Sequence, residues 1–442
     1  MTLFLPPLIY ASTVRVSWHL LRFTFFPGVI LGVASAVAVI AAVAFAAKTL
    51  FLPGIGWAAA LLIGLVAALW DTRLFHEAEG RPRVPRAIAD TLKARELVGR
   101  IVILGTLGVV EDALTSSPSV AETVRDNFLF AVPAGIVAGL IIGRLAVWLR
   151  QRIDPAPVEI AVSVATPYVA ALVAEAAGIS AAAAIITSAL VVSAIRVDRG
   201  SGATISSTEA RINATAFWEV ASLMVSGVLF ILAGRAVPEA LRALQLWPIW
   251  QVSLTAAALL GIALTVQLCF SYAGARMMPI SAALQPAGRV PVAALTAATV
   301  MTWSSTRSVI GLVIALSVPA SLPDGTAFRE RDLILALGTL LVIGSVLLQG
   351  LTLRPLVEWA ALADPREHEE EEQHARQAMR EAAQAPAEEN ADSFDAARQE
   401  LMRLREQDRI GDETMVGMMR ETDLTARAAE NEPLPGAGPP QP

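Results

Sequence analysis

Apolar runs begin near Phe23, Leu52, Glu96, Asn127, Val158, Ile179, Ala214, Pro248, Pro291 and Asp332. Each is about the 20 residues that a helix needs to cross a bilayer. A chain written this way has few folds open to it. Inside lipid every backbone N–H and C=O must find a partner within the protein, so each run is expected to be helical. A shorter apolar stretch, MTLFLPPLIYASTVRVSW, comes first. It has no basic leader and no small-residue cleavage site, so it does not read as a secretory signal. It reads as the second half of a helix whose start is missing. The chain is 55% hydrophobic and only 17% charged over 442 residues. Of its 74 charged residues, 29 fall in the last 82 positions. The expected product is an all-α polytopic membrane domain over residues 1–360, with about eleven membrane segments. A charged helical tail follows over residues 361–442.

One of these runs is broken. Thr299 to Pro319 reads TVMTWSSTRSVIGLVIALSVP, with Thr302, Ser304, Ser305, Thr306, Arg307 and Ser308 between two apolar halves. An arginine at mid-bilayer depth costs roughly 2.5–3.5 kcal/mol even on the lenient insertion scale. The physical reading is a helix interrupted near the midplane, its loose backbone facing a cavity rather than lipid. Transporters build ion sites from such half-helices; the blander reading is an arginine in a polar seam between helices. The run from Leu52 to Phe75 carries Trp70, Asp71 and Thr72 near its inner end. It crosses in the opposite direction, as an inverted repeat would require.

Other charged residues inside the runs have two readings each. Asp71 either takes a proton or caps a half-helix, or else bridges to Arg73 or another inner-loop arginine. Glu219, in FWEV, is either a buried partner for Arg307 or a hydrated carboxylate near the inner interface. Arg100 lies near mid-membrane, where it either repels cations or pairs with Asp71 and ties two crossing elements together. Trp70 and Trp303 read as packing aromatics.

Loop charge sets the orientation. Basic residues cluster at Arg73–Arg95, at Arg150 and Arg152, at Arg196, Arg199 and Arg211, and at Arg276 and Arg289. These loops alternate with acidic or neutral ones such as EDALTSSPSVAETVRDN, so the tail and the basic loops are expected in the cytoplasm. The single cysteine, Cys269, excludes an intrachain disulfide framework. None of the four histidines lies in an apolar span, so neither a haem nor a zinc site has ligands to use. The net charge of −6 is set by the tail, and no nucleic-acid partner is expected. In the tail, Phe394, Ala397, Leu401 and Leu404 recur at helical spacing. NEPLPGAGPPQP at the end reads as disordered.

Several stretches carry a resemblance when read together: FLPPLIYAS, ATPYVAALVAEAAGIS, FWEVASLMVSGVLFILAG, WSSTRSVIGLVIALSVP and LVIGSVLLQGLTLRPL, with RQELMRLREQDRIGDETMVGMMRETDL in the tail. In this order and spacing the chain resembles the bacterial sodium/proton exchangers of the cation:proton antiporter-1 family. The resemblance implies a sodium/proton-antiporter-like inverted repeat, two interrupted helices crossing at the ion site, and a homodimer. It also implies that the family's first two helices are missing here. The family's Thr-Asp-Pro falls on Trp70-Asp71-Thr72, so the aspartate matches. Its Gly-Leu-Arg-Gly falls on Ser305-Thr306-Arg307-Ser308, so the arginine matches. Its Glu-Ser-Leu-Leu-Asn-Asp falls on Glu96 to Ile101, where the glutamate matches but the Asn-Asp pair becomes Arg100-Ile101. A further family arginine aligns with Gln267.

Two functions follow as expectations. The first is secondary exchange of a monovalent cation, Na⁺ or K⁺, for protons across the inner membrane, needing no chemical cofactor and no enzymatic step. The second is a transport-impaired homologue with a sensing, regulatory or assembly role. The ion-site candidates are Asp71, Arg100, Glu219, Gln267 and Arg307, with Thr72, Ser304, Ser305, Thr306 and Ser308 as crossing backbone.

Overall fold

A computed structural model of the chain describes residues 3–14, 18–72, 86–115, 120–153, 155–194, 208–243, 248–277, 294–319, 321, 325–360, 365–384, 393–407 and 409–431. Of the basic loops, 73–85, 195–207 and 278–293 lie outside these residues, as do the linker at 385–392 and the chain end from 432.

The described membrane part is helical. In chain order its helices are α1 (Leu5–Thr13), α2 (Trp18–Ala46), α3 (Trp57–Ala68), α4 (Arg86–Thr115), α5 (Val120–Asp126), α6 (Val132–Arg150), α7 (Ala156–Ala177) and α8 (Ala181–Ala194). Then come α9 (Thr208–Ala243), α10 (Ile249–Met277), α11 (Ala294–Trp303), α12 (Val309–Ser317) and α13 (Arg331–Ala360). Wider turns at Ala47–Phe51 and Asn127–Ala131 continue α2 and join α5 to α6. By length and composition, Leu31–Phe51, Glu122–Arg150, Pro157–Ala177, Ile249–Arg276 and Arg331–Ala360 are apolar enough to cross a membrane. Trp57–Ala68, Ala181–Ala194, Ala216–Leu232 and Ala294–Trp303 are apolar but shorter.

α4 departs from the expected boundary. It begins at Arg86, ten residues before the expected start at Glu96. Its first turns therefore include Arg95, which loop charge alone assigns to a cytoplasmic loop. Arg95 is instead buried, at 1% exposure.

Small residues let the helices approach. A Cβ on Gly139 of α6 would lie 2.5 Å from the Ala184 carbonyl oxygen of α8. That is close small-residue packing of the kind that holds helices together where lipid offers no hydrophobic contrast. One continuous apolar core joins α2, α3, α8, α10, α12 and α13. It surrounds the only strand pair among the described residues, β1 (Trp70–Asp71) against β2 (Thr306–Arg307).

The tail forms its own small cluster. α14 (Pro365–Gln384), α15 (Ser393–Glu406) and α16 (Asp412–Asn431) bury Ala375, Leu401, Leu404, Ile410, Met415 and Met418. A buried Arg398–Asp423 pair at 3.0 Å joins α15 to α16. α16 also lies against α9.

Candidate ion site at the crossing

The crossing is built from two places where a helix gives way. α3 ends at Ala68, and Leu69 is already extended at φ −72°, ψ 115°. Trp70, Asp71 and Thr72 follow, all weak helix formers. On the other side α11 stops at Trp303, before Ser304, Ser305 and Thr306, whose hydroxyls compete for backbone groups. α12 restarts at Val309 with Ser308 as its N-cap, the hydroxyl accepting from the Ile310 N–H at 3.2 Å.

The two extended segments then supply each other's backbone partners. They run antiparallel, Trp70 opposite Arg307 and Asp71 opposite Thr306. The Ser308 N–H donates to the Leu69 carbonyl at 2.9 Å, and the Thr306 hydroxyl donates to the Asp71 carbonyl at 3.1 Å. The end of α11 is finished by one side chain from α13. Gln349 Nε2 donates to the carbonyls of Thr302, Trp303 and Ser305 at 3.2, 3.2 and 3.1 Å. Ser345 holds that amide by donating to Gln349 Oε1, and its hydroxyl accepts the Arg307 N–H at 2.9 Å. Broken backbone is tolerated inside a membrane domain when its freed groups find partners within the protein, as these do.

Two charged groups flank the strand pair. The first is acidic and basic together. Glu96 and Arg100 sit one turn apart on α4. Glu96 Oε2 accepts the Thr72 N–H at 3.2 Å and the Thr72 hydroxyl at 2.6 Å. The Arg100 guanidinium pairs with Glu96 Oε1, donates to the Ser12 hydroxyl of α1, and stands 3.9 Å from Asp71 Oδ2. All three charged side chains are buried. The structure thus brings Arg100 and Asp71 together and adds Glu96, which the sequence marks only by alignment. Gly99 makes room for this face. A Cβ there would lie 2.8 Å from the Trp70 ring.

The second group is basic with neutral partners. Arg307 donates to the Ala67 carbonyl and to Gln267 Oε1. It therefore caps the C-terminus of α3, where the carbonyl ends of the helix favour positive charge. Arg95 donates to Ser271 Oγ at 3.2 Å and to Ser305 Oγ at 2.7 Å, and stacks over the Trp70 ring at 5.0 Å. Gln267 and Ser271 are one turn apart on α10, so that helix carries both arginines' acceptors.

Two expectations need correction here. Among the described residues, no carboxylate pairs with Arg307. Asp71 turns to Arg100 instead, because Arg307 is drawn to the end of α3. Glu219 is exposed on the outer face of α9, beside exposed Phe217 and Val220, and does not reach the crossing. Gln349, Ser345 and Arg95 are contributors that the sequence reading passed over. The signal for Gln349 was a lone amide deep in an apolar run. For Arg95 it was its place five residues before Arg100 on one helix. Among the described residues no three His, Cys, Asp or Glu side chains converge as a metal cage would need.

The family profile described as "Sodium/hydrogen exchanger, transmembrane" matches residues 1–359. The chain belongs to the sodium/hydrogen exchanger family. The Na⁺/H⁺ antiporter NhaP of Pseudomonas aeruginosa is 27% identical over 379 residues, covering 84% of this chain and 83% of its own. An uncharacterised Na⁺/H⁺ exchanger of Mycobacterium bovis is 27% identical over 381 residues, covering 85% of this chain and 67% of its own. The fold is similar to that of the sodium proton antiporter MjNhaP1 from Methanocaldococcus jannaschii, with a TM-score of 0.54 over 81% of this chain and 84% of that one. The two share 16% identity, so that likeness concerns the fold. For an exchanger of this family, the crossing just described is the place where broken backbone and buried charge coincide.

Proposed function

We propose that this chain exchanges a monovalent cation, Na⁺ ahead of K⁺, for protons across the cytoplasmic membrane, serving pH and cation homeostasis, with Asp71 as the exchanging carboxylate. The observation that carries this is the buried carboxylate pair at the strand crossing. A cation and a proton must compete for one negative charge, and Ile101, where the resemblance puts the family's acid, is apolar. Glu96 is engaged by two Thr72 donors and by Arg100, which suits a fixed counter-charge. Asp71 stands 3.9 Å from Arg100, farther from the guanidinium than Glu96, which pairs with it directly. The guanidinium stays protonated at physiological pH. Its part is to hold Glu96 and Ser12 in register beside the exchanging group.

In this reading α3 with β1, and α11 with β2 and α12, are the crossing elements of an inverted repeat. Exchange proceeds by rocking of that bundle against the remaining helices. The working unit is a homodimer with about eleven membrane segments per chain and a cytoplasmic tail. Proton flux in proteoliposomes on addition of Na⁺, K⁺ or Li⁺ tests the proposal, with Asp71→Asn as the variant that loses it.

Arg100 also favours a second reading. Its charge opposes any cation approaching Asp71, and the tail helix α16 lies against α9, a route by which an exchanger without coupling could act in regulation. Absence of cation-dependent flux in the parent chain would select this reading.

A further inference from the structure

Among the described residues, the core of the crossing carries more positive than negative charge. Arg95, Arg100 and Arg307 are each at most 2% exposed, and Asp71 and Glu96 are the carboxylates among them. Both carboxylates lie against Arg100, Glu96 by direct pairing and Asp71 at 3.9 Å, and Glu96 also attracts Arg95 at longer range. Among the described residues, no carboxylate is in direct ion-pair contact with Arg95 or Arg307. Their hydrogen-bond acceptors are hydroxyls, a backbone carbonyl and an amide oxygen. The two guanidinium groups also lie close enough to feel each other's charge. Burying even one charge without a counter-charge is costly. The C-termini of α3 and α11 each offset only about half a unit, and the N-terminus of α12 returns about half a unit of the opposite sign.

The same spot holds donors that go unused. Arg95 Nε, Arg307 Nε, Gln267 Nε2 and Ser304 Oγ are buried and have no hydrogen-bond partner among the described residues. Their residues are linked. Gln267 touches Arg307, Ser304 adjoins the Ser305 that Arg95 holds, and Ser271 of α10 links Arg95 to the Gln267 turn. Buried donors are normally satisfied, and four unsatisfied ones beside two guanidinium groups without a direct ion pair describe a place for negative charge.

We infer that the Arg95–Gln267–Arg307 cluster binds a small monovalent inorganic anion of the halide class. One net positive charge calls for one negative charge, and donors from guanidinium, amide and hydroxyl groups without a facing base suit a halide. The anion is a resident counter-ion for the crossing rather than the exchanged species. Its donors are not those beside Asp71, which stands 3.9 Å from Arg100, and chloride binding is measured apart from cation-dependent proton flux.

The test is equilibrium binding of radiolabelled chloride to the purified full-length protein in detergent, with melting followed in sodium chloride and in sodium gluconate at equal ionic strength. The expected result is saturable binding and a higher melting temperature in chloride. Gln267→Glu places a fixed carboxylate against Arg307 and should weaken chloride binding by more than about tenfold, while removing the chloride dependence of melting. If Gln267→Glu does not fold, Arg307→Gln takes its place and is expected to lose binding likewise. Glu219→Gln, on the outer face, should bind as the parent does. Absence of saturable chloride binding in the parent overturns the inference, as does binding that survives Gln267→Glu or Arg307→Gln unchanged.

Discussion

Arg100→Met is the perturbation that probes the crossing most sharply. Methionine keeps most of the side chain's length and apolar contact but removes the guanidinium. Glu96 loses its charged partner, Asp71 loses its neighbour at 3.9 Å, and Ser12 loses a donor. Removing one partner of a buried pair costs about 3–5 kcal/mol. Both carboxylate side chains are only 8% exposed, so water relieves little of this. Glu96 keeps its two bonds from Thr72, which places the expected cost near the lower bound, about 3 kcal/mol. That is roughly a hundredfold in the folded-to-unfolded ratio. The assay is thermal loss of the monodisperse peak of detergent-solubilised protein. The penalty should shrink as pH falls, because protonating a carboxylate removes the unpaired charge. Adding Glu96→Gln to Arg100→Met should restore part of the loss, since the residues are directly coupled. The reasoning is refuted if Arg100→Met melts as the parent does. It is also refuted if the double variant loses the sum of the two singles, or if the penalty grows on acidification.

Gln349→Leu removes the donor to three carbonyls at the end of α11 and should cost about 1–3 kcal/mol, read by the same melting assay. Gly99→Ala forces a methyl against the Trp70 ring and should cost about 1–3 kcal/mol through overpacking, with a change in tryptophan fluorescence. Glu219→Gln should stay within about 0.5 kcal/mol of the parent in melting, because that carboxylate faces outward. Single cysteines on a Cys269→Ser background should place position 117 on the outer side, and labelling there only from the cytoplasm would reverse the orientation.

The apolar runs made the helices legible, and the hydroxyl-rich interruption around Arg307 made the crossing legible. Charge inside an apolar run is a loud signal, which is why Asp71, Arg100 and Arg307 stood out. Partners were harder to read. In a membrane, lipid-facing and core-facing surfaces are both apolar, so the helical period of α9 does not say that Glu219 points away while Trp218 points inward. Arg95 was hidden by the opposite error, because a basic residue near a run's end reads as loop. Only tertiary packing reveals that Ser271, Ser305 and the Trp70 ring receive it. Gln349 and Ser345 carry no charge, and nothing in the sequence distinguishes a polar residue that closes a helix end from one that is merely tolerated. The pairing of β1 with β2 spans more than two hundred residues of chain. No local pattern encodes it.

The most direct test of the account is proton movement in sealed proteoliposomes after a Na⁺ gradient is imposed, comparing the parent chain with Asp71→Asn. Saturable Na⁺-dependent proton flux in the parent, abolished by Asp71→Asn in a variant that still folds, is the predicted result. Flux that survives Asp71→Asn, or a parent that moves no protons with Na⁺, K⁺ or Li⁺, would contradict it.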